Sequence, residues 1–383
     1  MKENHMLGTV SIDNLEFAFS SANIELMQNA KIKYVRMPLS FPFADAGMKT
    51  LTERYKNNLS VIRRLKDAGF ETLAATNCAC SYRYSPETGT VDCVRSIPDW
   101  VGPFDADAFY ERMEVAMEYM ARETKGLIEW WQVANEPDIK IFYGTLTHEQ
   151  NERFLRACAR GLKNGNADAK VGINLAGDGL IFSITGDEGG SGNGSGNEAE
   201  AEGEGTREAY GPVLTERLYN GDGLFDYLGI DGYFGSWANG EPSDWLPYID
   251  RVYEISRAPI IINEWGYSTL QRGEPRTDED KNRYFNSGVC REKDWDAGSA
   301  KKWLGVDHNE ELQADYIKQC VKIFAEHPAV IGNLFFRWQD PNTCWQCGAP
   351  DCPAECAWGC IRTDGTPKPG YYALAESYNK YFD

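Results

Sequence analysis

Two glutamates stand in this chain where a carboxylate could do chemistry. The run 127–133 is apolar enough for a buried strand, and it stops abruptly at Asn135-Glu136-Pro137-Asp138. Proline cannot continue a central strand, since it lacks an N–H and its φ is fixed. Glu136 is therefore expected at the carboxyl end of a strand, where α/β proteins place reactive groups. A second run, Pro259-Ile260-Ile261-Ile262-Asn263, feeds Glu264 in the same way, and Gly266 breaks it just beyond Trp265. Two carboxyls meeting over one cleft can divide the work. One holds a proton and gives it up, while the other stays ionised to attack or to stabilise positive charge. The bland alternative is a pair of structural acids facing helix N-termini.

Elements of alternating type must bring these two residues together. Apolar runs at 32–39, 70–76, 127–133, 170–174, 226–233, 259–264 and 330–338 read as buried strands. Between them, helical spacing marks 51–68, 105–124, 245–256 and 309–326, and a last helix begins near Tyr371. Thr147-His148-Glu149-Gln150 has the form of a capping box and predicts a further helix to about Leu162. Strand–helix alternation of this kind demands a parallel sheet with helical crossovers. With about eight such units and no Gly-rich phosphate loop after the first strand, a closed barrel is expected over an open sheet. The predicted fold is α/β, a (β/α)8 TIM barrel, one domain over residues 1–383, with inserted loops on its catalytic face. Residues 186–205 are a low-complexity insertion of Gly, Ser, Asn and acids, read as a solvated loop or else a lid. A long polar insertion covers 271–308.

Composition narrows the partners. A formal net charge of −19 argues against nucleic acid, whose phosphates require Lys and Arg for neutralisation. No apolar run reaches the length of a bilayer span, so no membrane role is expected. Aromatic residues make up 13% of the chain and include 11 Trp, which suit core packing or a stacking surface for the apolar faces of sugars. No apolar leader follows Met1, which favours the cytoplasm, or secretion if a leader has been removed.

Hydrolysis of a glycosidic bond by two carboxyls needs the pair described above. At Asn135-Glu136-Pro137 and Ile262-Asn263-Glu264-Trp265-Gly266 the chain resembles the clan A glycoside hydrolases, with an organisation similar to families 5 and 39. The resemblance implies retaining TIM-barrel enzymes whose acid/base follows an asparagine on the fourth strand and whose nucleophile ends the seventh. It implies that Glu136 is the acid/base and Glu264 the nucleophile, and that Arg36, Tyr233 and Trp338 match the second-strand arginine, the aromatic orienting the nucleophile and the eighth-strand tryptophan under the sugar. The tail from Trp358 to Pro369 also looks like the end of such barrels. Arg36 or the Tyr233 hydroxyl would favour the Glu264 anion, and Glu136 must begin protonated. Asn135 is placed to bond the sugar 2-hydroxyl. Many clan members carry a histidine two residues before the sixth-strand tyrosine, where this chain has Asp231, which is expected to hold a sugar hydroxyl or to pair with Arg36. Trp237 is a candidate subsite platform.

The expected reaction needs no cofactor, and the expected partner is a β-linked oligosaccharide or polysaccharide. A transglycosylase on the same scaffold, or a non-catalytic carbohydrate-binding barrel, would share most of these residues. Histidines His5, His148, His308 and His327 fall outside every predicted strand end, which disfavours Ser-His-Asp and His-zinc hydrolysis. Of 11 cysteines, five lie in a Cys-rich loop at 344–360. Cys344, Cys347, Cys352 and Cys356 have spacing for a structural zinc, for two disulfides, or for free thiols, and a metal-dependent interaction module is the reading that would make this loop central. Cys78, Cys80 and Cys93 form a smaller group on another loop.

Overall fold

Eight parallel strands close on themselves into a barrel. The computed structural model describes residues 5–10, 14–85, 90–177, 180, 209–236, 238, 240–269, 309–344 and 355–382. Numbered along the chain, the barrel strands are β1 (Met6–Val10), β2 (Tyr34–Pro38), β3 (Glu71–Ala75), β6 (Trp130–Gln132), β7 (Lys170–Leu175), β8 (Tyr227–Gly232), β9 (Ile260–Trp265) and β10 (Val330–Phe335). Around the ring their order is β1-β10-β9-β8-β7-β6-β3-β2, and β1 seals it by pairing Met6 with Gly332 and Gly8 with Tyr34. The remaining strands, β4 (Cys80–Ser85) and β5 (Thr90–Arg95), form an antiparallel hairpin that follows the carboxyl end of β3.

Several helices open on a side chain that accepts from a free backbone N–H. Thr52 caps the helix Glu53–Asp67 by accepting from Tyr55 N, and Asn309 caps Glu310–Glu326 by accepting from Leu312 N. Thr147 and Gln150 form both halves of the capping box that opens the helix His148–Gly165. That helix packs against Asp107–Glu123 through Gly161, where a Cβ would run into the carbonyl of Glu114.

Alternation along the strands sorts side chains into two cores. Val35, Trp131, Ile173, Leu228, Ile230, Ile262, Trp265 and Phe335 face the helices. Met6, Val10, Leu73, Tyr227, Ile261 and Leu334 fill the inside of the barrel. The inward series then turns polar toward the carboxyl ends, at Arg36, Gln132, Asn174, Asp231 and Asn263, all of them buried. This polar layer is the floor of the site.

Several elements differ from the sequence reading. The strand expected over 330–338 ends at Phe335, so Arg337 and Trp338 lie beyond it. β1 was not anticipated, and neither was the hairpin, since 77–103 reads as a loop. The helices Ser21–Asn29 and Tyr210–Leu218 also carry no sequence signal strong enough to predict them. The insertions at 186–205 and 271–308 lie outside the described residues. No described helix is long and apolar enough to cross a membrane.

Candidate active site

Glu264 is the penultimate residue of β9, the seventh barrel strand, and Glu136 follows β6, the fourth. Both therefore sit at the carboxyl end of the barrel. Arg36, from the second strand, lies between them and divides its guanidinium three ways. Nη1 donates to Glu264 Oε1, Nη2 to Asn135 Oδ1 at 2.5 Å, and Nε to Gln132 Oε1 at 2.6 Å. The Tyr233 hydroxyl donates to the other oxygen of Glu264. Asn135 Nδ2 faces Glu136 Oε2 at 3.5 Å, so the two glutamates are joined through Asn135 and Arg36.

The loop bearing Glu136 is bent by two residues in left-handed conformation, Ala134 at φ 60° and Glu136 at φ 39°. Neither is glycine, and each such residue costs on the order of 1–3 kcal/mol. A set of contacts holds this geometry in place. Ala134 N donates to Thr76 Oγ1 at 3.1 Å, Glu136 N to Asn174 Oδ1 at 3.0 Å, and Asn151 Nδ2 to the Pro137 carbonyl at 2.8 Å. The Cys78 thiol bridges the backbone of Asn135, accepting from its N–H at 3.4 Å and donating to its carbonyl at 3.5 Å. Asp138 is buried and accepts from the N–H groups of Ala176 and Gly177, which ties this loop to the end of β7. Gly266, just beyond Glu264, lets the carbonyl of Phe336 approach where any side chain would block it.

Beneath the carboxylates, Gln132 uses its whole hydrogen-bonding capacity. Its Oε1 accepts from Arg36 and from Asn263 Nδ2 at 2.7 Å, while its Nε2 donates to the Ala134 carbonyl and to Asn174 Oδ1, both at 2.7 Å. Asn174 in turn donates to Asp231 Oδ2 at 2.6 Å and to Asn135 Oδ1 at 3.2 Å. Gln132, Asn174 and Asn263 were missed as site residues. Their signal was a single amide side chain near the end of each apolar run, two places beyond an inward-facing residue.

Charge is distributed unevenly over this layer. Burial opposes the charge on Arg36, but Glu264 and then Asp231 outweigh it, and its pKa is raised. Burial, followed by Glu264 and Asp231, pushes the Tyr233 phenol well above its ordinary value, so it remains a donor to Glu264. Asp231 is also pushed well above the ordinary carboxyl value, first by burial and then by Glu264 and Glu136, against the smaller pull of Arg36 and Asn174.

Two expectations need correction. Trp338 is 1% exposed; its indole N–H donates to Asn23 Oδ1 at 2.6 Å and its ring meets Tyr371 edge-on, so it packs between barrel and helices and offers no face to a sugar. The aromatics that meet Tyr233 edge-on are Trp358, at 5.0 Å between ring centres, and Phe336, at 5.7 Å. Of the two roles expected for Asp231, pairing with Arg36 is not seen: Arg36 forms its ion pair with Glu264, and Asp231 Oδ2 accepts from Asn174. Trp237 lies outside the described residues. Cys344 and Cys356 are buried, while Cys347 and Cys352 lie outside the described residues, and the zinc or disulfide reading of the loop lies there with them. His148 stacks on Tyr210, and His327 bonds Asp250 at 3.1 Å, both away from the carboxylates.

No family model and no curated protein matches the chain. Solved structures do. A family 39 glycoside hydrolase from Bacteroides cellulosilyticus WH2 superposes with a TM-score of 0.60 at 14% identity, covering 98% of this chain and 64% of its own. The chain thus spans under two thirds of that protein's length. Xylanase 10B from Thermotoga petrophila RKU-1, solved with xylobiose, gives 0.58 at 13%, covering 100% and 96%. Penicillium canescens endo-1,4-beta-xylanase XylE gives 0.60 at 14%, covering 99% and 95%. The shared feature at such identities is architecture: this chain builds the same (β/α)8 barrel as these glycosidases, the fold of the clan A resemblance.

Proposed function

We propose that the protein is a retaining glycoside hydrolase that cleaves a β-linked oligosaccharide or polysaccharide by double displacement. The observation that carries this reading is the shared anchoring of two strand-end glutamates. Glu264 accepts hydrogen bonds on both oxygens, from Arg36 and Tyr233, while the same Arg36 holds Asn135 beside Glu136. Glu264 is the nucleophile and Glu136 the acid/base. Glu264 attacks the anomeric carbon as Glu136 gives its proton to the departing glycosidic oxygen. In the second half, Glu136 takes a proton from water, the water attacks the anomeric carbon, and Glu264 leaves as a carboxylate. Asn135 is oriented by Arg36 and Asn174 to bond the sugar 2-hydroxyl. Neither step calls for a cofactor.

The structural neighbours include enzymes described as xylanases and β-glucuronidases, so xylan and aryl β-xylosides, β-glucosides and β-glucuronides are the first substrates to try. The test compares wild type with Glu264→Gln on that panel, with products followed by NMR. Wild type should release the β-anomer first, and the variant should lose at least about 1,000-fold in kcat. Initial release of the α-anomer, or activity surviving in the variant, would refute the assignment.

A further inference from the structure

Below the two glutamates sits a third carboxyl to which the reaction assigns no step. Asp231, the penultimate residue of β8, stands directly opposite Glu264 in the parallel ladder, and it is 1% exposed. One oxygen accepts from Asn174; the other is buried with no hydrogen-bond partner. The charged and titratable groups that face it come from five elements. Glu264 comes from β9, Glu136 from the loop after β6, Arg36 from β2, Tyr233 from the end of its own strand, and Tyr248 from the helix Trp245–Ser256, whose hydroxyl bonds the Asp231 carbonyl at 3.4 Å. Among the described residues this group sets one cation against three carboxyls, and Arg36 spends its nitrogens on Glu264, Asn135 and Gln132. An ionised Asp231 would leave a buried anionic oxygen without a donor, next to a second anion. Burying an uncompensated charge is among the costliest arrangements a protein can hold.

We propose that Asp231 works as a neutral, proton-bearing positioning acid, holding Asn174 under Asn135 and Glu136 while leaving the charge of Arg36 to Glu264. The direction in which burial and the two glutamates shift its titration agrees with this. Asn174 is the hinge of the argument, because it is bonded at once to Asp231, Asn135, Gln132 and the Glu136 backbone. A neutral acid anchors that amide without adding a negative charge to the site. Asparagine reproduces its shape and neutrality; alanine removes the anchor.

The activity arm of the test rests on the glycosidase reading, and the stability arm does not, so the two can fail separately. Melting temperatures of wild type and Asp231→Asn are followed against pH. A carboxyl whose folded pKa is raised keeps a proton in the folded state that the unfolded chain gives up above about pH 4, so stability drains away as pH climbs through that window. The Asp231→Asn variant has no such loss, so the gap in its favour should widen from acid to neutral pH. A gap that narrows, is absent, or favours wild type at neutral pH overturns the proposal. Infrared difference spectra of wild type minus variant at neutral pH should carry the carbonyl stretch of a protonated acid, and a carboxylate band alone would overturn it. On an aryl β-glycoside, Asp231→Ala should lose about 100-fold in kcat through misplacement of Asn135 and Glu136, and Asp231→Asn should restore most of it. The alkaline limb of kcat/KM should stay in place in the asparagine variant. An acid-ward shift by a full pH unit would mean that a negative charge had been removed from beside Glu136, and would sink the idea.

Discussion

Replacing Gln132 with methionine is the sharpest test of the polar floor beneath the carboxylates. Methionine has nearly the volume and flexibility of glutamine, so the change opens no cavity and isolates the loss of polarity. Three partners would be stranded, Arg36 Nε, Asn263 Nδ2 and the Ala134 carbonyl, while Asn174 Oδ1 would keep the Glu136 N–H. Gln132 itself is fully buried, so water cannot easily take its place. At about 1–3 kcal/mol for each orphaned buried group, the three together should cost at least about 3 kcal/mol. A loss of that size is a large share of the roughly 5–15 kcal/mol that holds a domain folded. The assay is urea unfolding followed by tryptophan fluorescence, read as a drop in midpoint at constant m-value. A cost below about 1 kcal/mol would show that the floor is replaceable packing, and the argument that it fixes Arg36 would fail with it.

Other substitutions test separate links. Arg36→Lys keeps the positive charge but cannot reach Glu264, Asn135 and Gln132 together, and kcat should fall about 100-fold or more in steady-state assays on the best aryl glycoside. Trp338→Phe should lower stability by about 1–3 kcal/mol, since Asn23 Oδ1 loses its donor, with KM unmoved; a rise in KM would restore Trp338 to the sugar's side. Phe336→Ala should do the opposite, raising KM by about tenfold on the same substrate, in line with loss of one stacking aromatic next to Tyr233. Gly266→Ala should unfold the protein at lower temperature and cut activity together, because the new methyl collides with the Phe336 carbonyl beside Glu264.

The barrel strand that ends in Glu264 was legible because a parallel strand buried on both faces reads as an unbroken β-branched run, and Ile260-Ile261-Ile262 could be little else. The capping box at Thr147 was legible for an equally local reason, since its two hydrogen bonds are made within four residues. β1 was hidden because it is five residues long and carries Gly8, which is there to let the Tyr34 carbonyl pass, not to favour a strand. The hairpin Cys80–Ser85 and Thr90–Arg95 lacks a clean apolar alternation, so nothing local separates it from a loop. Trp338 was misassigned because the sequence does not say where the last strand stops. β10 ends at Phe335, and beyond it the backbone of Arg337 and Trp338 bonds to Trp358, Cys360 and Ile361, which sends Trp338 outward and leaves Phe336 beside Tyr233. The pairing of Arg36 with Glu264 could be guessed from charge. That Gln132 and Asn135 would claim its other nitrogens could not, since this depends on the register of four strands.

That division of Arg36 connects the fold to the proposed chemistry. In the resting site the cation balances Glu264, while Tyr233 supplies a second, neutral donor to the same carboxylate. When Glu264 becomes an ester in the proposed intermediate its charge disappears, but Arg36 cannot leave, because Gln132 and Asn135 still hold it in the floor. Its uncompensated charge then favours an anion among the two carboxyls that remain, Asp231 and Glu136, the latter reached through Asn135. The acid that has just lost its proton is thereby kept ionised, which is the state needed to take a proton from water. A guanidinium fixed by three strands can serve both half-reactions without moving, whereas a lysine on a flexible stem would follow the charge. The buried amide layer is in this view the part of the barrel that converts a static ion pair into a site able to alternate between giving and taking one proton.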